Sequence, residues 1–153
     1  MSLWPGYYLG NELPEPILTE IPKIRINPDR DWDIKVEMPG GDFYQDTTNM
    51  LRAANGMLAL EGFGAGETFS WIYAFDEFAW IVRGKAEMTY SLSGTSHTEQ
   101  KTVTIKEGDI FLIPLGARIT FKVDPSGPLR KIGCTLPGIA RTTRRPDKVT
   151  KLR

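Results

Sequence analysis

The sequence predicts an all-β fold, a sandwich or barrel, from three observations. From Gly56 onward the 153-residue chain runs in short segments rich in Val, Ile, Thr, Phe, Tyr and Trp, broken every six to ten residues by Gly, Pro, Ser or Asp. Evenly spaced short strands with turn signals between them mark sandwiches and barrels. Several of these segments alternate apolar and polar residues, as a strand with one dry face does. After Gly56 no segment keeps a helical 3.6 period for three turns.

Taken in order, residues 1–40 read as an irregular arm. Pro5, Pro14, Pro16, Pro22, Pro28 and Pro39 punctuate two strand candidates, Lys23–Asn27 and Asp33–Glu37. Residues 41–138 read as the barrel, with strands at Met57–Phe63, Thr68–Ala74, Glu77–Arg83, Lys85–Leu92, Lys101–Lys106, Asp109–Ile113, Arg118–Val123 and Leu129–Leu136. Alternation assigns their inner faces. Ile119, Phe121 and Val123 face inward in one strand, Ala86, Met88, Tyr90 and Leu92 in another, and Ile132, Cys134 and Leu136 in the last. Residues 139–153 form a basic tail. Its segment 141–153 carries six cations against Asp147.

Composition limits the function. Lys plus Arg equals Asp plus Glu at 19 each, so no net field recruits nucleic acid or an anionic membrane. The tail has no interleaved aromatics to stack on bases, and reads as a solvated terminus. Cys134 is the single cysteine, which rules out an internal disulfide and the clusters of zinc sites. The sequence lacks an apolar run of membrane-spanning length and a signal-peptide pattern, and the expected location is cytoplasmic. His97, the one histidine, lies in a Ser/Thr/Gly turn and reads as surface.

Two motifs carry a resemblance. Gly108-Asp109-Ile110-Phe111-Leu112-Ile113-Pro114-Leu115-Gly116 reproduces G-x5-P-x-G without a gap. Gly108 opens a turn into an apolar strand, Pro114 ends the strand, and Gly116 supplies the dihedral for the reversal. Upstream, Glu77 and Gly84 stand seven residues apart. Together these resemble the two signature motifs of the cupin superfamily, which implies a double-stranded β-helix, or jelly-roll, barrel with an irregular proline-rich N-terminal arm. In that family the first motif also carries two histidines, which here are Trp71 and Tyr73, and a third histidine position falls on Ile119. The resemblance therefore implies a dismantled metal site, with Glu77 the one ligand-class residue left. Trp71, Asp76-Glu77 and the run Pro114 to Ile119 resemble more narrowly the cupin domain of the ethanolamine-utilization protein EutQ and its relatives, over roughly residues 55–138. The chain departs from that group in its N-terminal region and in a longer loop at Ser93–Lys101.

On this fold Glu77 projects into a pocket lined by Phe69, Trp71, Tyr73, Met88, Tyr90, Ile119, Phe121 and Cys134. Lost hydration raises such a carboxylate's pKa unless Tyr73 and Tyr90 donate to it, so Glu77 is the candidate acid or base and the aromatics a platform for a small-molecule ligand. Asp76, pointed the other way by period two, is the secondary candidate, and turn geometry is its expected job. No cofactor is expected; the alternative is a divalent metal held by Asp76, Glu77 and waters. Cys134 reads as buried filler.

The resemblance also implies acetate-kinase-like activity or an accessory role in a metabolic assembly. The residues themselves favour metabolite binding, with or without turnover. Gly62-Phe63-Gly64-Ala65-Gly66 lacks the Lys-Ser/Thr and helix of a phosphate loop, and Arg83 is the one inner-parity cation on its strand. Phe78, Trp80 and Val82 form an outward apolar stripe, from which a homodimer is expected.

Overall fold

The computed structural model describes residues 20–53, 56–94, 98–136 and 148–152. His97, the arm before residue 20 and most of the basic tail lie outside them. The described residues form eleven strands and no helix: β1 (Ile34–Met38), β2 (Gly41–Ala53), β3 (Gly56–Phe63), β4 (Thr68–Ile72), β5 (Asp76–Arg83), β6 (Lys85–Ser91), β7 (Lys101–Lys106), β8 (Ile110–Ile113), β9 (Arg118–Val123), β10 (Leu129–Leu136) and β11 (Lys148–Lys151). No helix among them is long and apolar enough to cross a membrane.

All pairings are antiparallel, in a seven-stranded sheet ordered β11-β1-β2-β3-β10-β5-β8 and a four-stranded sheet ordered β4-β9-β6-β7. The two inner faces enclose the core, as a jelly roll does. One seam is closed by the β1–β2 turn, where the Ser70 amide donates to the Gly40 carbonyl at 2.7 Å. A Cβ on Gly40 would sit 1.7 Å from the Ser70 carbonyl oxygen, so only glycine permits this approach.

The strands expected from Met57 to Leu136 are present to within two residues at their ends. Gly108 and Gly116 take φ of 94° and 85°, the left-handed conformation that the turns of the second motif need. Three segments differ. Lys23–Asn27 is not a strand. β2 carries a register shift between Asp46 and Met50, which destroys the alternation that would have revealed it. β11, from the basic tail, pairs with β1, and backbone hydrogen bonding overrides its polar composition.

The core also corrects two inner faces. Ile119, Phe121 and Val123 are buried as expected, with Ala86 and Met88, while Tyr90 is half-buried and Leu92, past the end of β6, is exposed. In β10 the assignment is reversed. Leu129, Lys131, Gly133 and Thr135 are turned inward and buried, Cys134 is half-buried on the opposite face, and Leu136 is exposed. Hydrophobic alternation failed there because the inward Lys131 is paired with carboxylates inside the barrel.

A bulge completes the correction. Arg130 pairs with Arg83, and Lys131 with Ile81, which leaves Val82 as an extra residue in β5. Arg83 is accordingly turned outward and pairs with Asp29 at 3.2 Å. The apolar stripe does stand on the outer face: Phe78 and Trp80 are 48% and 47% exposed, beside Leu112 and Ile110 of β8.

Candidate functional site

Three strands of the seven-stranded sheet bring charge into the barrel. Glu61 on β3, Lys131 on β10 and Glu77 at the start of β5 turn inward, and Lys131 and Glu77 are 1% and 2% exposed. The Lys131 ammonium donates to Glu61 Oε1 at 2.5 Å and to Glu77 Oε1. Glu61 stands beside Lys131 in register, whereas Glu77 stands beside Thr135, so the lysine reaches along its own strand to meet it.

The residue passed over is Gly133. Its neighbours in register are Ala59 and Ala79, so the triad stands on a floor of small residues. A Cβ on Gly133 would lie 2.7 Å from Glu61 Oε1 and 3.3 Å from both Glu77 Cδ and Lys131 Nζ. We expect Gly133→Ala to lower stability by about 1–3 kcal/mol in urea denaturation, because the side chains it meets are held by one another and cannot yield separately. A change within about 0.5 kcal/mol would show that the triad has room to spare.

Burial and charge set the proton affinities. Burial pushes the Glu77 carboxyl up to about 7; the Lys131 ammonium pulls it down and the Glu61 carboxylate pushes it further up. For Lys131 burial acts downward, but the two carboxylates outweigh it and hold the ammonium above its ordinary range. The Tyr73 phenol is driven well above its ordinary value by burial, then by Glu77 and Glu61. Fully ionised, the triad carries one excess negative charge. One proton on Glu77 neutralises it.

Around the triad the aromatics pack mainly on one another. Phe69 meets Phe63 at 4.8 Å and Phe43 edge-on at 5.7 Å, Phe121 stacks on Phe63 at 5.1 Å, and Tyr73 meets Phe75 edge-on at 5.6 Å. Each such pair adds about 0.5–1.5 kcal/mol beyond its burial. The free space left is about 20 Å³, room for roughly one water. A wider recess of about 230 Å³ on the outer face of the four-stranded sheet has Arg118 as its one charged lining residue. The concentration of buried ionisable groups is in the barrel instead.

Of the residues expected at the site, Phe69, Trp71 and Tyr73 line the cavity with Glu77. Met88, Ile119 and Phe121 are core residues outside that lining, Tyr90 is half-buried against the core, and Cys134 faces the other way beside Phe78 and Leu58. Asp76 accepts the Leu115 amide at 2.8 Å, the turn role expected of it. Glu77 is held by Lys131 rather than by the tyrosines. The glycine run is the β3–β4 turn, and the Gly64 amide donates to the Glu67 carboxylate at 3.1 Å, which sets an anion where a phosphate would have to lie.

Phe43, Glu61, Phe63, Phe75 and Lys131 were missed. A signal existed for Glu61, which shares the parity of Met57, Ala59 and Phe63 on β3. Two inward carboxylates in turn call for an inward cation.

A family model described as the EutQ-like cupin domain matches residues 64–132. Among solved structures, the EutQ protein of Clostridium difficile is 21% identical, with 65% of this chain covering 71% of that one at a TM-score of 0.48. Oxalate decarboxylase of Bacillus subtilis at pH 4.6 is 17% identical, with 77% of this chain covering 29% of that one at 0.53. The formate complex of the Lactobacillus farciminis oxalate decarboxylase is also 17% identical, with 77% covering 33% at 0.52. At these identities the two decarboxylases show a shared fold and nothing about activity. A search of curated proteins gave no match.

The residues present do not fit the divalent metal that the fold family implies. Trp71, Tyr73 and Ile119 stand at its histidine positions, and Glu77 is bound by an ammonium. Among the described residues no three His, Cys, Asp or Glu side chains are grouped to hold an ion. With its metal-ligand positions changed but its signature glycines and strand order kept, the chain has the cupin fold, and residues 64–132 form a EutQ-like cupin domain.

Proposed function

We propose that the barrel interior binds a small uncharged or cationic carbonyl or hydroxyl compound and exchanges a proton with it through Glu77. The buried pairing of Lys131 with Glu61 and Glu77 carries this reading. Burying these ions costs several kcal/mol each, and apolar residues of similar volume would stabilise the fold as well or better. Such a cluster is kept for chemistry more readily than for stability.

Each residue then has a role. Lys131 has three donors, of which two go to Glu61 and Glu77, and the third is free to bond a ligand oxygen. Glu77, held near neutral, can take or release a proton at ordinary pH. The triad's charge of minus one or zero disfavours a carboxylate ligand and admits a neutral or cationic one. The cavity as it stands fits about one water, so the ligand enters by displacing the Tyr73 and Phe75 rings on the β4–β5 turn. The EutQ likeness supports a setting in ethanolamine utilization, and small aldehydes and amino alcohols meet these requirements of size and charge.

The experiment compares small aldehydes, amino alcohols and the matching carboxylates by NMR, following the Tyr73 and Gly133 amides. Aldehydes or amino alcohols should shift these resonances and carboxylates should not. Tighter binding of the carboxylates would overturn the proposal. Glu77→Gln should keep binding and lose any turnover.

A further inference from the structure

Glu61 and Glu77 direct their oxygens at one nitrogen. We infer that Lys131 is the resident cation of the barrel: its ammonium fills the place between these carboxylates that a divalent metal would otherwise take, and its removal opens a site for a hard divalent ion. The inference concerns cation occupancy and stands whether or not the site turns anything over.

Three observations support it. Two oxygens that share one hydrogen-bonded nitrogen are no more than roughly 5 Å apart. A magnesium, manganese or calcium ion, with oxygen ligands at roughly 2.0–2.6 Å, fits that span. Next, the small floor of Ala59, Gly133 and Ala79 leaves the space above it to the three charged groups. Finally, two residues in register with the carboxylates carry buried polar atoms without a partner: Gln45, beside Glu61, at both Oε1 and Nε2, and Thr135, beside Glu77, at Oγ1. Such oxygens need a hydrogen bond or a cation. The two carboxylates offer oxygen donors alone, which select a hard ion over zinc or copper.

The test uses manganese(II) chloride alone, the full chain, and isothermal titration calorimetry. The wild-type protein should show no saturable binding up to millimolar manganese. Lys131→Ala, which removes the whole stem and leaves room for a hydrated ion, should bind one ion per chain at least about tenfold more tightly. Adding Glu61→Gln to that variant should abolish the gain. If Lys131→Ala is unfolded without metal, manganese should restore its cooperative melting by circular dichroism. Stoichiometric manganese on the wild-type protein overturns the inference, as does a Lys131→Ala variant that manganese neither binds nor refolds.

Discussion

Replacing Lys131 with methionine should cost the fold about 3–5 kcal/mol, read as a lower urea midpoint at unchanged slope. The side-chain volume is nearly conserved, so the loss does not come from a cavity. It comes from leaving Glu61 and Glu77 together in the barrel without their shared cation. The loss should therefore shrink at pH 5, where a carboxyl can take a proton in place of the ammonium, and a triple variant with Glu61→Gln and Glu77→Gln should recover most of it. A loss below about 1 kcal/mol at neutral pH would mean that water reaches the triad.

Stability should also fall as pH rises from about 4.5 to above 7, through Glu77. Its folded-state value is near 7, against an ordinary 4.5. Between those values the native protein holds a proton that the unfolded chain has released, so the slope of stability against pH is negative. The contribution is complete below the unfolded value and is lost as pH passes through the folded one. The shift sets its size on the order of 3 kcal/mol. Lys131, raised above 10.5, loses its own contribution only in alkali and leaves this window clear. The Asp124 carboxyl, held down to about 2 chiefly by its bonds to Ser126, acts only in acid. Urea denaturation at pH 5, 6, 7 and 8 checks this. Glu77→Gln should flatten the curve between pH 5 and 8, and parallel curves for the two proteins would refute the assignment.

What was legible in the sequence was written in local rules. Glycines that need positive φ, a proline that stops a strand, and period-two alternation in β6 and β9 act over a few residues, and they predicted eight strands and the second cupin motif. β2 and β11 were not legible, since β2 is bulged and β11 is polar and held by pairing with β1, more than a hundred residues away in the chain. Glu77 could be named because a motif spacing placed it. Lys131 could not, since a lysine between Arg130 and Ile132 reads as solvent-facing until its partners are known.

The sequence by itself thus determined an all-β cupin barrel with an inward Glu77 and no histidine at the family's metal-ligand positions. Only the tertiary structure decided what faces that carboxylate. Glu61, Glu77 and Lys131 come from three strands, and Lys131 lies 70 and 54 residues from its two partners. An ion pair overrides hydrophobic alternation only once folding has brought both charges out of water. For that reason β10 turns its lysine inward and its cysteine away.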